Sequence, residues 1–178
     1  TTFAATTFAA AVLPAAKVHE GCANFFLVDL PELGLKETLK GKAGDCLVLA
    51  TSEADVLTTV TAALKHQVPV TTRGAGTGNY GQAVPLTGGV VIDLSGLDTF
   101  ELLEPGTCRV GAGLNMADLE KMLRQENGDA SPGSSVGSVG WELRMHPSTL
   151  KTATIGGFVA GGSGGVGSIN YGVLRDPA

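Results

Sequence analysis

A cluster of small residues carries the clearest chemical signal in the sequence. Residues 69–80 read Pro-Val-Thr-Thr-Arg-Gly-Ala-Gly-Thr-Gly-Asn-Tyr, so a β-branched run leads into Arg73 and then into alternating glycines. Glycine adopts positive φ readily and lets a ligand approach the main chain closely. A turn of this kind gathers several backbone N–H groups at one place, and such a nest binds anions, above all a diphosphate. The cluster therefore predicts a diphosphate-binding loop at the end of a strand.

Two alternatives apply to this loop. Glycine clusters mark tight solvent-facing turns more often than ligand sites, and a capping or surface ion pair is the alternative role for Arg73.

Residues 76–81 and 162–167 both fit the G-x-G-x-x-G dinucleotide pattern. A Rossmann site needs a helix to begin at that point, and neither segment is followed by a helical apolar period. We therefore do not predict a nicotinamide site, and no Gly-Lys-Ser/Thr ending makes either cluster a Walker loop.

A second glycine-rich stretch covers residues 152–172. Eight of its residues are glycine, yet it also contains apolar residues such as Phe158 and Val166, which a flexible linker would not carry. This mixture indicates main chain packed closely against something large and flat. Ser163 lies within the stretch, but no histidine or acid is evidently paired with it as in a nucleophile elbow. No catalytic residue is assigned from the sequence.

The composition argues against several classes of function. The 178 residues are 43% hydrophobic and carry a formal net charge of -5, which disfavours a nucleic-acid partner or an anionic membrane surface. The three cysteines and three histidines show no metal-ligand spacing, so no metal site is predicted. An odd number of cysteines without such spacing is typical of a reducing compartment, and we expect a cytoplasmic protein.

Hydrophobic periodicity predicts the elements that position the first glycine loop. Residues 1–30 are expected to be an N-terminal extension that lacks a positively charged leader and is too broken by Pro14 to span a membrane. Residues 31–178 are expected to form one domain. A buried strand at 46–50, a helix capped by Ser52 and the strand before the loop make a βαβ unit. Open α/β sheets place ligands at this carboxyl end of their strands.

Antiparallel structure is expected further along the chain. A buried strand is predicted at 89–95, and the Pro-Gly pair at 105–106 predicts the turn of a hairpin. Asn115 is predicted to cap a helix, and the Gly/Ser-rich residues 127–140 are expected to form a mobile loop or linker. The predicted fold class is α+β, with a small parallel βαβ lobe and a second mixed or antiparallel lobe.

A series of ordered motifs makes the chain resemble a known family. After residues 69–78 come Val-Val-Ile-Asp-Leu-Ser at 90–95, Arg-Val-Gly-Ala-Gly at 109–113, Ala-Thr-Ile-Gly-Gly at 153–157 and the Tyr-Gly pair at 171–172. Together they resemble the FAD-binding domain of the vanillyl-alcohol oxidase / p-cresol methylhydroxylase (PCMH-type) flavoprotein superfamily. The bacterial glycolate oxidase or D-lactate dehydrogenase type of FAD-linked oxidoreductase is the most similar branch.

The resemblance implies a PCMH-type FAD-binding fold with FAD between the two lobes. It implies that the first loop wraps the diphosphate and that the second stretch runs along the ribityl chain and the flavin. Some relatives attach the flavin through a histidine in the first loop and a cysteine ahead of the second stretch, whereas this chain has Thr77 and Lys151 in these regions, so non-covalent FAD is expected. The implied cofactor-binding residues are Arg73, Gly74, Ala75, Gly76, Thr77, Gly78, Asn79, Ser148, Thr149, Thr154, Gly156, Gly157, Ala160, Gly161, Gly164, Gly165 and Tyr171.

The resemblance also implies an activity. It predicts the FAD-binding portion of a FAD-dependent oxidoreductase or dehydrogenase that moves a hydride from a small organic substrate to FAD, with a 2-hydroxy acid as a candidate. The alternative is a non-catalytic nucleotide-binding or structural module with the same fold. In the family, more of the flavin domain and then a substrate-binding cap domain follow. The resemblance therefore implies that this chain is incomplete at its C-terminus and that a C-terminal part or a second chain completes the active site.

Overall fold

The computed structural model describes residues 18–22, 35–78, 80–104, 107–125, 141–162 and 164–174 of the chain. The chain divides into two compact units, with the boundary between Leu97 and Asp98. Several sequence interpretations lie outside the described residues: most of the N-terminal extension, Asn79, the turn at 105–106, the Gly/Ser-rich loop at 127–140 and Ser163.

The first unit is built on a four-stranded sheet. Its strands are β1 (Val18–Cys22), β2 (Gly44–Leu49), β3 (Val70–Arg73) and β4 (Val90–Asp93), in the order β1-β2-β4-β3. The strands β2, β4 and β3 are parallel, whereas β1 pairs antiparallel with β2. The strand β1 falls in the segment that the sequence assigns to an extension. Its short sequence, Val-His-Glu-Gly-Cys, has little apolar alternation, so pairing with β2 rather than local propensity makes it a strand.

The described part of the first unit also contains the helices α1 (Leu35–Leu39) and α2 (Glu53–Lys65). The helix α2 joins β2 to β3, so the predicted βαβ unit is present. Its N-terminus has a capping box in which the Ser52 hydroxyl accepts the N–H of Asp55 while the Asp55 carboxylate accepts the N–H of Ser52. These bonds explain why the helix begins where the sequence predicts.

The core of the first unit lies between α2 and the two inner strands of the sheet, β2 and β4. All four residues of β4 are buried, as expected for a parallel strand covered on both faces. A cluster of small and β-branched side chains fills the space, and its fully buried members are Cys46, Val48, Ala50, Ala63, Val90 and Ile92. This packing holds the carboxyl ends of β2, β3 and β4 at one edge of the sheet.

Where the structure describes it, the second unit consists of a hairpin and three helices. The strands β5 (Phe100–Glu104) and β6 (Thr107–Val110) pair antiparallel, which agrees with the predicted hairpin. The helices are α3 (Met116–Gln125), α4 (Ile155–Gly161) and α5 (Ser168–Tyr171), and their core is the cluster of Met116, Ala153 and Phe158. Asn115 caps α3 by accepting the N–H of Ala117 at 2.8 Å, and it donates to the carbonyl of Lys151 at 3.0 Å. The predicted cap therefore also ties α3 to the turn before α4.

Candidate cofactor site

The first glycine loop follows directly on β3, at the edge where three parallel strands end. Arg73, the last residue of β3, pairs in register with Asp93 of β4, and Asp93 pairs with Leu49 of β2 on its other side. Gly76 has a φ of +69°, a backbone conformation that residues other than glycine adopt only with strain. The loop therefore needs glycine at position 76 to turn as it does, at the end of the sheet where α/β proteins place ligands.

The main-chain N–H groups of residues 74–78 form a row of available donors. Within the described part of the chain, none of these five N–H groups donates a hydrogen bond to a protein atom. Residues 76–78 are half-buried, whereas Ala75 is exposed. Unpaired amides cost free energy when water is removed from them, so an anionic oxygen is their natural partner. The row fits the diphosphate that the sequence predicts here.

Arg73 is engaged with the protein itself. Its Nη2 lies 2.5 Å from Oδ2 of Asp93, and the two side chains are only 15% and 11% exposed. The other carboxylate oxygen, Oδ1, accepts hydrogen bonds from the N–H of Ser95 at 2.9 Å and from its hydroxyl at 2.6 Å. Burial alone would raise the pKa of Asp93, but the hydrogen bonds from Ser95 and Arg73 and the charge of Arg73 outweigh burial and hold the pKa below its ordinary 3.8. The charge of Arg73 is therefore balanced at neutral pH, and a direct bond from Arg73 to the cofactor stays a prediction.

Two side chains support the loop at its ends. A Cβ at position 76 would lie 3.4 Å from Cδ and 3.8 Å from Cγ of Arg73, so the methylene stem of Arg73 packs beside Gly76. A Cβ at position 78 would lie 2.6 Å from Oε1 of Gln82, and that oxygen also accepts the N–H of Tyr80 at 3.0 Å.

Sequence reasoning missed both Asp93 and Gln82. The available signal for Asp93 was its position at the end of a predicted strand, with a cation at the end of another.

The helix α4 contains the first half of the second glycine stretch. Thr154 caps it by accepting the N–H of Gly157 at 3.3 Å. Gly156 donates to the carbonyl of Ala112 at 2.9 Å, and a Cβ at position 156 would come within 2.7 Å of both the carbonyl oxygen and the Cβ of Ala112. Three predicted cofactor-binding residues of this helix are exposed: Gly157, Ala160 and Gly161. Together they form a face from which nothing larger than a methyl group projects.

The second half of the stretch packs against the chain itself. A Cβ at Gly165 would come within 2.1 Å of the carbonyl oxygen of His146, and a Cβ at Gly164 would lie 2.9 Å from a methyl group of Val173. His146 and Val166 form an isolated antiparallel bridge with hydrogen bonds of 2.9 and 3.2 Å. The protein itself thus provides the close packing expected of this stretch, through main chain at Gly165 and a side chain at Gly164, while cofactor contacts of Gly164 and Gly165 stay predictions.

The remaining predicted residues also lie in the second unit. Ser148 is exposed and Thr149 is half-buried, and the carbonyl of Thr149 accepts the N–H of Ala153 at 2.8 Å. Tyr171, at the end of α5, is exposed, and the guanidinium carbon of Arg144 lies 5.6 Å from its ring centroid. This distance permits a cation–π contact. The structure thus gives Tyr171 a protein partner without occupying the whole of its ring.

Metal ligation and membrane insertion were two further possibilities for the site and the chain. Among the residues that the structure describes, no three or more histidine, cysteine, aspartate or glutamate side chains are grouped so as to hold a metal ion. No helix in the same residues is long and apolar enough to cross a membrane.

Comparison with protein families decides which fold this is. Residues 44–177, most of the chain, match the family described as FAD binding domain. The chain belongs to this FAD-binding domain family. The predicted family, the α+β fold class and FAD as the cofactor are confirmed, and the match supports the FAD-binding prediction over the alternative of a non-catalytic nucleotide-binding or structural module.

Curated relatives of this FAD-binding domain include FAD-linked oxidoreductases. The glycolate oxidase subunit GlcD of Bacillus subtilis is 30% identical over 134 residues, which cover 74% of this chain and 26% of that protein. A D-lactate dehydrogenase of Anaerostipes hadrus is 32% identical over 143 residues, which cover 76% of this chain and 26% of that protein. The chain therefore spans about a quarter of the length of these relatives.

Solved structures share the fold of the FAD-binding domain. A structure of alkyldihydroxyacetonephosphate synthase superposes with a TM-score of 0.71 at 22% identity, covering 95% of this chain and 33% of that one. A VAO-type flavoprotein from Myceliophthora thermophila superposes with a TM-score of 0.57 at 20% identity, covering 75% of this chain and 23% of that one. At these identities the likeness establishes the fold and no more.

The residues of the FAD-binding domain fit the cofactor that its family implies. The first unit provides the row of five N–H groups at residues 74–78 that have no partner among the described residues, which is suited to a diphosphate. The second unit provides the small-residue face of α4, which leaves room for a flat ring. Each observation is made within one unit, and each matches a different chemical part of FAD.

Proposed function

We propose that this chain is the FAD-binding portion of an oxidoreductase that moves a hydride from a small 2-hydroxy acid to non-covalently bound FAD. Two curated relatives are named D-lactate dehydrogenase and glycolate oxidase subunit, and lactate and glycolate are both 2-hydroxy acids, which supports this substrate class. FAD supplies the hydride acceptor when it is bound. The residues of this chain supply binding and orientation.

The row of N–H groups at residues 74–78 is the observation that carries the proposal. A hydrogen bond to a charged group contributes about 1.5–3 kcal/mol. Four or five such bonds to a diphosphate, less the cost of ordering, leave about -8 kcal/mol, which corresponds to micromolar affinity. Binding of this strength needs no unpaired cation, in keeping with the ion pair that Arg73 makes to Asp93.

Non-covalent binding is supported by the residue types at the loop. Residues 73–78 contain neither histidine nor cysteine, and Thr77 has the only hydroxyl among them. An alcohol at its ordinary pKa is a weak nucleophile unless a base activates it. We therefore propose that the first loop, residues 73–79, holds FAD without a covalent bond and that its main-chain N–H groups bind the diphosphate.

We also propose that the acid–base residue and the substrate pocket come from a second chain or from a C-terminal part. The two buried carboxylates at this edge of the sheet are both engaged: Asp93 with Arg73 and Ser95, and Asp55 with Thr51 and Ser52. Neither is available to take a proton from a substrate. A cytoplasmic location is proposed because Cys46 and Cys108 are free thiols.

The proposal is tested by the cofactor that the purified protein carries. We expect a flavin absorbance spectrum and the mass of FAD in the material released by denaturation. The variant Gly76→Val should lower the FAD affinity about ten-fold or more, because a β-branched side chain strains the left-handed turn. The matched control is Gly41→Val, since Gly41 has a φ of +73° but open space around it. Protein without flavin would contradict FAD binding.

The substrate class is tested separately. Anaerobic addition of D-lactate or glycolate to the flavin-loaded protein, together with whatever part completes its active site, should bleach the flavin absorbance. A flavoprotein that neither acid bleaches would contradict the 2-hydroxy acid while leaving FAD binding intact. Acetate and propionate are the matched controls, because they lack the hydroxyl group that is oxidised.

A further inference from the structure

We propose that Asp93 is a positioning residue for the first glycine loop: it holds Arg73 beside Gly76 and leaves the main chain, rather than the guanidinium, to bind the diphosphate. This inference rests on the proposed binding of FAD at that loop. It assigns a role to a carboxylate that lies in the motif at residues 90–95 but is not among the predicted cofactor-binding residues.

The carboxylate of Asp93 is itself held in place. Oδ1 accepts two hydrogen bonds from Ser95, of 2.9 and 2.6 Å, which leaves Oδ2 directed at Nη2 of Arg73. Asp93 and Arg73 are register partners on adjacent parallel strands, so the pair spans two strands at the point where the loop begins. A fixed carboxylate therefore fixes the guanidinium.

The methylene stem of Arg73 supports the loop of residues 74–78. Cδ of Arg73 lies 3.4 Å from the place where a Cβ of Gly76 would be, so the stem of Arg73 occupies the space beside this glycine. Gly76 lies in the middle of the five residues 74–78 and has a positive φ. Without the charge of Asp93, the Arg73 side chain would lose an ion pair that keeps its stem beside Gly76. The spacing of the N–H groups would then be less well defined.

The charge of Asp93 distinguishes two possible roles for its ion pair with Arg73. If the guanidinium of Arg73 bound the diphosphate directly, Asp93 would compete with that ligand for the same cation. Neutralising Asp93 would then tighten FAD binding. If Asp93 acts by positioning the loop, neutralising it weakens binding even though it frees a positive charge. The two roles therefore predict changes of opposite sign.

The experiment measures the FAD dissociation constant of the apo-protein by flavin fluorescence for wild type and Asp93→Asn. An asparagine keeps an oxygen for Ser95 but presents no charge to Arg73. We expect the dissociation constant to rise about ten-fold. The matched control is Asp45→Asn, which neutralises a carboxylate of the same unit that accepts the N–H of Gly89 at 2.7 Å. It should change the dissociation constant by no more than about two-fold.

Salt dependence gives a readout that a purely structural role would not move. With the charge of Arg73 balanced, FAD affinity of the wild type should change little between low and high ionic strength. In Asp93→Asn it should fall more steeply with salt, because an unbalanced guanidinium then attracts the diphosphate. A steep salt dependence in the wild type, or FAD binding in Asp93→Asn as tight as in the wild type or tighter, overturns the inference.

A milder variant covers the case in which Asp93→Asn does not fold. Ser95→Ala removes one of the bonds that orient the carboxylate and keeps the ion pair, so it should weaken FAD binding several-fold, and unchanged affinity overturns the inference. Failure of the proposed function is recognised separately, since a wild type that takes up no FAD refutes both ideas. If the wild type binds FAD and Asp93→Asn binds it equally tightly, only this inference is refuted.

Discussion

Gly165 lies so close to His146 that a Cβ at position 165 would come within 2.1 Å of the His146 carbonyl oxygen. The same approach recurs two residues later, where a Cβ at Gly167 would meet the carbonyl oxygen of Arg144 at 2.0 Å. Between these two contacts, Val166 and His146 exchange main-chain hydrogen bonds. Glycine is therefore required at both positions by the fold of the second unit, whether or not a ligand is bound.

This contact predicts the effect of a single methyl group. Gly165→Ala should lower the free energy of unfolding by about 1–3 kcal/mol, because main chain rather than a mobile side chain must move to admit it. The control is Gly41→Ala, which meets no atom within 4 Å but has a φ of +73°. It should cost about 1 kcal/mol through backbone strain alone. Urea unfolding measures both, and an unchanged midpoint for Gly165→Ala would show that the segments are not in contact.

The start of α2 yields a second prediction. One carboxylate oxygen of Asp55 accepts the N–H groups of Thr51 at 2.9 Å and Ser52 at 3.1 Å, and the side chain is buried. Asp55→Ala removes these acceptors and should cost about 1–3 kcal/mol in the free energy of unfolding. Glu53→Ala is the matched control in the same helical turn, because Glu53 is exposed, and it should cost about 0.5 kcal/mol or less. Equal losses for the two variants would contradict the capping role.

The βαβ unit and its loop were predictable because their signals are local. The apolar run of β2, the Ser52 cap and the apolar period of α2 are each contained in a few consecutive residues. The role of Arg73 was not settled in this way. Its partner Asp93 lies 20 residues away and faces it only through the register of two parallel strands. A single sequence does not reveal that register, so cofactor binding and an ion pair both remained possible roles for Arg73.

The second glycine stretch shows a different limit. Its small residues correctly indicate close approach of the main chain, since Gly156 packs on Ala112 and Gly165 packs on His146. Glycine reports that something comes close, but it does not report what comes close. Both contacts join segments that are distant in sequence, and the resemblance to a flavoprotein directed attention to the cofactor. The exposed face of α4, with Ala160 and Gly161, is the part left open for a ligand.

The Asp93–Arg73 pair predicts a pH dependence of stability. The pKa of Asp93 is lower in the folded protein than its ordinary value of 3.8. The unfolded protein therefore binds the proton more tightly, and the pair stabilises the fold above an unfolded pKa of about 3.9. This stabilisation is lost as the pH falls through the folded pKa. The difference in free energy of unfolding between wild type and Asp93→Asn should be about 1–3 kcal/mol at neutral pH and should shrink below about pH 4.

Urea titrations at a series of pH values test this sign. Asp45→Asn serves as the control, because it removes a carboxylate of the same unit without touching the Asp93–Arg73 pair. A difference between wild type and Asp93→Asn that grows on acidification would contradict the lowered pKa. The residual acid sensitivity of Asp93→Asn then measures the contribution of the other carboxylates.

Cys46 provides a last prediction, on thiol reactivity. Its side chain is 1% exposed within the core of the first unit, and burial, with a smaller effect from the charge of Asp45, raises the pKa of the thiol from 9.0 to about 11. At pH 8 it should contain about a hundredfold less of the reactive thiolate than an ordinary cysteine. Iodoacetamide should therefore label the half-buried Cys108 well before Cys46 in the folded protein, as peptide mass mapping would show. In denaturant the two should react alike, because both the burial and the neighbouring charge are then removed. Because burial is the larger cause, Asp45→Asn should accelerate labelling of Cys46 only slightly, and rapid labelling in that variant would place the thiol outside the core.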